Sequence, residues 1–151
     1  MEIFENKIEL LNDFIDLNHQ WIAHYFEIEQ VDRALFANPK QIIEQGGYVF
    51  SLVEDNQVVG VCALFNEKNG VYELARMAVS PNCQGKGYGK LLLEAVLAKL
   101  KTIKAKRVYL VSNTKLKAAI HLYRQYGFTT ISEGPHPIYT RAKIIMSQDI
   151  T

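Results

Sequence analysis

Between residues 79 and 91 the chain concentrates what phosphate binding needs. Gln84-Gly-Lys-Gly-Tyr-Gly89 sets three glycines in alternation, then Lys90 and a run of leucines. Glycine can take positive φ and let the backbone approach a ligand closely. A helix that starts here leaves its first N–H groups without intrahelical partners. Such backbone donors, with the helix dipole behind them, bind phosphate, and Lys86 and Lys90 add positive charge. Two well-known phosphate loops do not fit. The dinucleotide pattern G-x-G-x-x-G would need glycine where Lys90 stands. The Walker pattern G-x-x-x-x-G-K-[ST] would need glycine at Gln84 and a hydroxyl at Leu91. What remains is [QR]-x-x-G-x-[GA], met by Gln84, Gly87 and Gly89.

The charge distribution points the same way. The 151 residues carry a net charge of +1, yet residues 1–80 hold 5 basic and 13 acidic side chains. Residues 81–127 hold 10 basic ones and a single acid, Glu94. Near-neutrality therefore hides an electropositive middle segment suited to an anionic ligand and an acidic first half. The basic segment contains no recognised nucleic-acid module, so a nucleic-acid partner is not expected. Cys62 and Cys83 are too few for a disulfide framework. Cys83 adjoins the glycine loop, but no motif demands a thiol there. His19, His24, His121 and His136 show no metal-ligand spacing, so no metal is expected.

The elements that position this loop follow from periodicity. Apolar residues at three- and four-residue spacing over residues 8–26 predict an amphipathic helix. Shorter helical pieces are predicted near Asp32 to Leu35 and Pro39 to Gln45. Strands are predicted over Tyr48–Glu54, Gln57–Asn66 and Val71–Val79, joined by tight turns at Asp55-Asn56 and 67–70 into an antiparallel meander. The glycine loop and a helix marked by Leu91, Leu92, Ala95, Val96 and Leu100 lead to a strand at Arg107–Ser112. This is a β-α-β crossover with parallel strands. A helix with Ala118, Ala119, Leu122, Tyr123 and Tyr126 precedes strands at residues 128–133 and 143–150. No apolar run approaches the roughly 20 residues of a membrane span. The start, MEIFENKIEL, is not a secretory signal, and the expectation is a cytoplasmic protein.

Leu74-Ala-Arg-Met-Ala-Val-Ser-Pro-Asn-Cys-Gln-Gly-Lys-Gly-Tyr-Gly-Lys-Leu-Leu-Leu93 resembles the pyrophosphate motif of the GNAT superfamily, the acyl-CoA-dependent N-acetyltransferases. Residues 113–128, with Ala119-Ile-His-Leu-Tyr123 and Gly127-Phe128, resemble its second signature, A-I-x-L-Y-x-x-x-G-F. The resemblance implies an α/β, single-domain GNAT fold over residues 1–151. Its mixed central sheet, an antiparallel meander followed by a parallel crossover, would be flanked by helices, with CoA in the gap between splayed parallel strands. The backbone of Gln84, Gly85, Lys86, Gly87, Tyr88, Gly89 and Lys90 would hold the pyrophosphate. The main chain of Met77, Ala78 and Val79 would pair with the pantetheine arm. The Asn that many relatives carry seven residues before the tyrosine is here Leu116, and Asn113 at the strand end is the candidate to replace it.

Acetyl transfer to an amine requires that the amine lose a proton, that an oxyanion be stabilised and that the departing thiolate be protonated. By resemblance Glu73, six residues before Val79, is the general base and Tyr123 the acid, with the N–H of Val79 or Met77 as oxyanion donor. Strand alternation would put Glu73 on one face with Ala75, Met77 and Val79. An unperturbed Glu lies about six pKa units below a lysine-like ammonium, roughly 8 kcal/mol, so the base needs a raised pKa, a relay water or an acceptor of lower pKa. The acceptor wall is expected from Trp21, Tyr25, Phe26, Glu27, Glu29, Asp32, His136, Tyr139 and Arg141. The expected reaction joins acetyl-CoA and a small-molecule primary amine through a tetrahedral intermediate. The alternatives are a protein lysine or N-terminal amine as acceptor, or a non-catalytic acyl-CoA sensor. A homodimer is compatible with the sequence.

Overall fold

The computed structural model describes residues 1–134 and 144–150. Tyr139, His136 and Arg141 lie outside the described residues. The elements run β1 (Glu2–Glu5), α1 (Leu11–Tyr25), α2 (Gln30–Ala37), α3 (Lys40–Glu44), β2 (Tyr48–Glu54), β3 (Gln57–Asn66) and β4 (Val71–Val79). They continue with α4 (Tyr88–Thr102), β5 (Arg107–Ser112), α5 (Lys117–Gln125), β6 (Thr129–Glu133) and β7 (Ile144–Asp149). The strands form one sheet in the order β1-β2-β3-β4-β5-β7-β6. The meander is present: Asp55 and Asn56 take φ of 49° and 64°, the geometry of a two-residue hairpin turn. The crossover through α4 brings β5 parallel to β4. β1, which periodicity did not reveal, adds an exposed edge strand beside β2.

Helices cover both faces of the sheet. On one, Leu92, Leu93, Val96 and Leu100 of α4 and Ile120 and Tyr123 of α5 pack against Phe50, Leu52, Leu64, Leu74 and Met146. On the other, Leu11, Phe14 and Leu17 of α1 and Ile42 of α3 cover Val49, Val61, Ala63 and Ala78.

Two departures from regular geometry in β4 shape the site. Its parallel ladder with β5 ends at Leu74 opposite Leu110, although both strands continue. Against β3 its register jumps from Ala75 opposite Ala63 to Ala78 opposite Val61. The extra residue is a bulge in which Arg76 takes φ of 60°. Side chains alternate along a strand, so one inserted residue reverses the faces beyond it. Glu73 pairs with Phe65, which packs in the α1 core, whereas Met77 and Val79 pack against the α4 core. The expectation that Glu73, Met77 and Val79 share a face is therefore corrected: the bulge sends Glu73 toward α1 and the other two toward α4.

Asp32 fixes the bulge. It is fully buried, its carboxylate accepts the N–H of Glu29 at 2.8 Å to cap α2, and it forms an ion pair with Arg76 at 2.5 Å. It is thus spent on structure and does not belong to an acceptor wall, correcting its assignment there. Removing one partner of a buried ion pair strands the other charge, which costs about 3–5 kcal/mol. Asp32→Ala should lose that much stability in urea unfolding; a loss below about 1 kcal/mol would show that the pair does not hold the strand.

Candidate active site

Where β4 and β5 part, a cleft of about 620 Å³ opens through the sheet. Its edges are Ala75, Arg76, Met77 and Val79 of β4, and Val111 and Ser112 of β5 with Asn113 after it. One mouth, on the α1 face, is lined by Asn18, Trp21, Ile22 and Phe26. On the other face lie the glycine loop and α5, including Tyr123.

The loop after β4 is built for backbone binding. Gly85 and Gly87 have φ of 83° and 80°, and a Cβ on either would meet nothing within 4 Å. The conformation favours glycine at both positions, and the space around them is open. Gly87 is the N-cap of α4 without a side-chain cap, and the first intrahelical bond runs from Leu91 N–H to its carbonyl at 3.2 Å. The N–H groups of Tyr88, Gly89 and Lys90 therefore have no partner within the helix. The side chain of Tyr88 points elsewhere: it is buried and its hydroxyl donates to Glu54 at 2.5 Å, which pushes its pKa up to about 12. Uncapped N–H groups, two open glycines and the nearby Lys90 suit the pyrophosphate of a CoA.

Glu73 is 9% exposed and lines the cleft. Burial, and then the charge of Glu67, push its pKa up to about 7, while Arg76 pulls it down. Tyr123 is also 9% exposed, its ring edge-on to Phe128 at 5.9 Å, and burial lifts its pKa to about 12 with a further contribution from Cys62. The phenol therefore stays protonated at neutral pH. Asn113 is buried at the end of β5, where its Oδ1 accepts the N–H of Lys115 at 2.9 Å.

Of the residues singled out in the sequence, Glu73, Met77, Val79, Gln84, Gly85, Gly87, Tyr88, Gly89, Lys90, Asn113, Tyr123 and Trp21 come together around this cleft. Ala78 turns its side chain into the α1 core, and Lys86 is exposed outside the lining. Tyr25 and Glu29 do not line it: the Tyr25 ring lies tilted against Trp21 at 5.2 Å, and Glu29 caps α2 in a reciprocal capping box with Asp32. Cys83 lines it although no motif asks for a thiol. Asn18, Arg76, Ser112 and His121 were not foreseen. Only Asn18 carried a signal, as a polar residue within the apolar stripe of α1.

Residues 13–128 match the model of the Acetyltransferase (GNAT) family. The uncharacterized N-acetyltransferase YjgM of Escherichia coli is 33% identical over 95 residues, covering 60% of this chain and 57% of that protein. Among solved structures, an acetyltransferase of the GNAT family from Staphylococcus aureus Mu50 matches with a TM-score of 0.87 over 99% of both chains at 20% identity. The PaiA N-acetyltransferase from Thermoplasma acidophilum, in complex with coenzyme A, matches with a TM-score of 0.73 over 99% of both chains at 16% identity. The structural likenesses establish the fold, and the family model establishes the family. The chain spans little more than half the length of that Escherichia coli relative, and it belongs to the GNAT family of acetyltransferases.

Proposed function

We propose that this protein transfers an acetyl group from acetyl-CoA to a primary amine of a small molecule. The observation that carries the reading is the presence of two titratable groups on opposite faces of the opened sheet, Glu73 toward α1 and Tyr123 toward α4 and α5. The pyrophosphate rests on the backbone of residues 85–90 and the pantetheine arm lies along Met77, Ala78 and Val79. The thioester then stands in the gap, where an amine can reach it from the α1 side. Its nitrogen attacks the carbonyl, Glu73 takes the N–H proton, the C–S bond breaks and Tyr123 protonates the sulfur.

The pKa values decide whether these transfers are affordable. With Glu73 near 7, the gap to an ammonium near 10.4 shrinks from about six units to about three and a half, or roughly 5 kcal/mol. Tyr123 near 12 faces an ordinary thiol near 8.5, a similar gap in the unfavourable direction. Burial closes part of it. The fully buried thiol of Cys62, close enough to Tyr123 to perturb it, is pushed up strongly by desolvation. A thiolate leaving into the same apolar neighbourhood gains proton affinity in the same way.

Tyr123→Phe should slow thiol release from acetyl-CoA about 10²–10⁴-fold and leave the Kd for CoA within a factor of two. Equal turnover removes the acid role. The profile of kcat/KM for the amine should show a limb near pH 7 that is absent in Glu73→Gln; persistence of that limb in the variant assigns it to another group.

The same burial has a cost in stability, with a definite sign. The folded state holds the Glu73 proton more tightly than the unfolded chain, so stability falls as pH rises from about 4.5 to about 7. At pH 8 Glu73→Gln should be more stable than the native protein by up to about 3 kcal/mol, and the difference should vanish below pH 4.5. A variant no more stable at pH 8 would contradict the burial penalty.

A further inference from the structure

One polar side chain on the α1 wall takes no part in the steps above. Asn18 is 2% exposed and stands in the stripe that packs Phe14, Leu17 and Ile22. Its Nδ2 donates to the carbonyl of Phe14 at 3.0 Å. A carbonyl can only accept, so that end of the amide is the nitrogen, and Oδ1 points away from the helix backbone. Oδ1 makes no hydrogen bond among the described residues, and Asn18 lines the cleft. It is not sealed in the way of Gln148 Oε1, which is buried without a partner. An acceptor of this kind in an otherwise apolar stripe calls for an explanation, because a leucine would pack there without a polar group to satisfy.

The surroundings limit what can approach it. Trp21, Ile22 and Phe26 continue the wall, with the Trp21 ring 5.7 Å from that of Phe26. Glu73 points from β4 toward this same face, and the Arg76 guanidinium beside it is engaged by Asp32. Among the described residues, a molecule entering from this side therefore meets aromatic and aliphatic surface, the carboxyl group of Glu73 and the amide oxygen of Asn18.

We propose that Asn18 positions the acceptor: its Oδ1 accepts a hydrogen bond from the nitrogen of a primary amine carried on an aromatic or short apolar skeleton. This rests on the reading of Glu73 as the base. A neutral primary amine has two N–H bonds and a lone pair. One N–H goes to Asn18, the other to Glu73, and the lone pair faces the thioester carbonyl. When the C–N bond forms and the C–S bond breaks, the Glu73 carboxylate takes the proton facing it and Tyr123 gives one to the sulfur. The N–H held by Asn18 remains on the product amide. A secondary amine has one N–H and cannot serve both groups.

Thiol release with phenethylamine and N-methylphenethylamine tests this, at saturating acetyl-CoA, in the native protein, Asn18→Ala and Asn18→Asp. The native protein should prefer the primary amine. Asn18→Ala should raise KM for phenethylamine about tenfold, the loss of one net hydrogen bond, reduce the preference for the primary amine, and leave the Kd for CoA unchanged. Asn18→Asp keeps an acceptor oxygen but loses the donor to Phe14, and should restore KM to within about threefold of native. A purely structural Asn18 would instead give equal loss in both variants with a parallel fall in Tm. That result, or no change in Asn18→Ala, overturns the proposal. Turnover of other amines but not phenethylamine by the native protein overturns the acceptor class. CoA binding with no thiol release for any amine brings down the underlying base assignment, and is visible before any variant is made.

Discussion

The parallel ladder between β4 and β5 stops halfway. Four residue pairs are joined, from Val71 with Arg107 to Leu74 with Leu110, and the two strands then diverge within a sheet that is otherwise continuous. Backbone donors and acceptors inside a protein need partners, so an opened ladder creates a demand that an extended ligand can meet by pairing as a strand would. The other features of the site depend on that opening. The glycine loop follows the end of β4, and α5 begins five residues after β5 ends, so the open glycine backbone and the buried phenol both stand at the gap. The bulge at Arg76 reverses the alternation of side chains, so Glu73 faces α1 while Met77 and Val79 face α4.

Burial is the second determinant, and it acts differently on each group. A carboxyl raised to about 7 still ionises near neutral pH. A phenol raised to about 12 is kept in its donor form. Arg76, held beside the strand by Asp32, limits how far the first shift can go because its charge lowers the Glu73 pKa. The residue that shapes the strand thus also tunes the Glu73 carboxyl. A bulge held by a buried ion pair is a costly structure, and its position beside Glu73 gives that cost a use.

Much of this was legible in the sequence because it rests on local rules. The strands at Tyr48–Glu54, Gln57–Asn66, Val71–Val79 and Arg107–Ser112 were bounded by turn residues and have the expected limits. The glycine loop could be read because positive φ leaves a mark in residue type. The bulge could not: Arg76 at φ of 60° is a non-glycine residue in a conformation that residue type does not announce, and missing it inverted the faces of Met77 and Val79. Asp32 was misread for a related reason. Its partner lies 44 residues away, and a lone acid in an acidic half of the chain gives no sign of a long-range pair. The acidic first half therefore says less about the acceptor than its count suggested.

The central claim is that burial in the opened sheet turns Glu73 into a base. Its most direct measurement is a 13C NMR titration of glutamate side-chain carboxyls, with Glu73 assigned by its loss in Glu73→Gln. The account predicts a midpoint near pH 7 for Glu73. A Glu73 midpoint within the ordinary carboxylate range would contradict it.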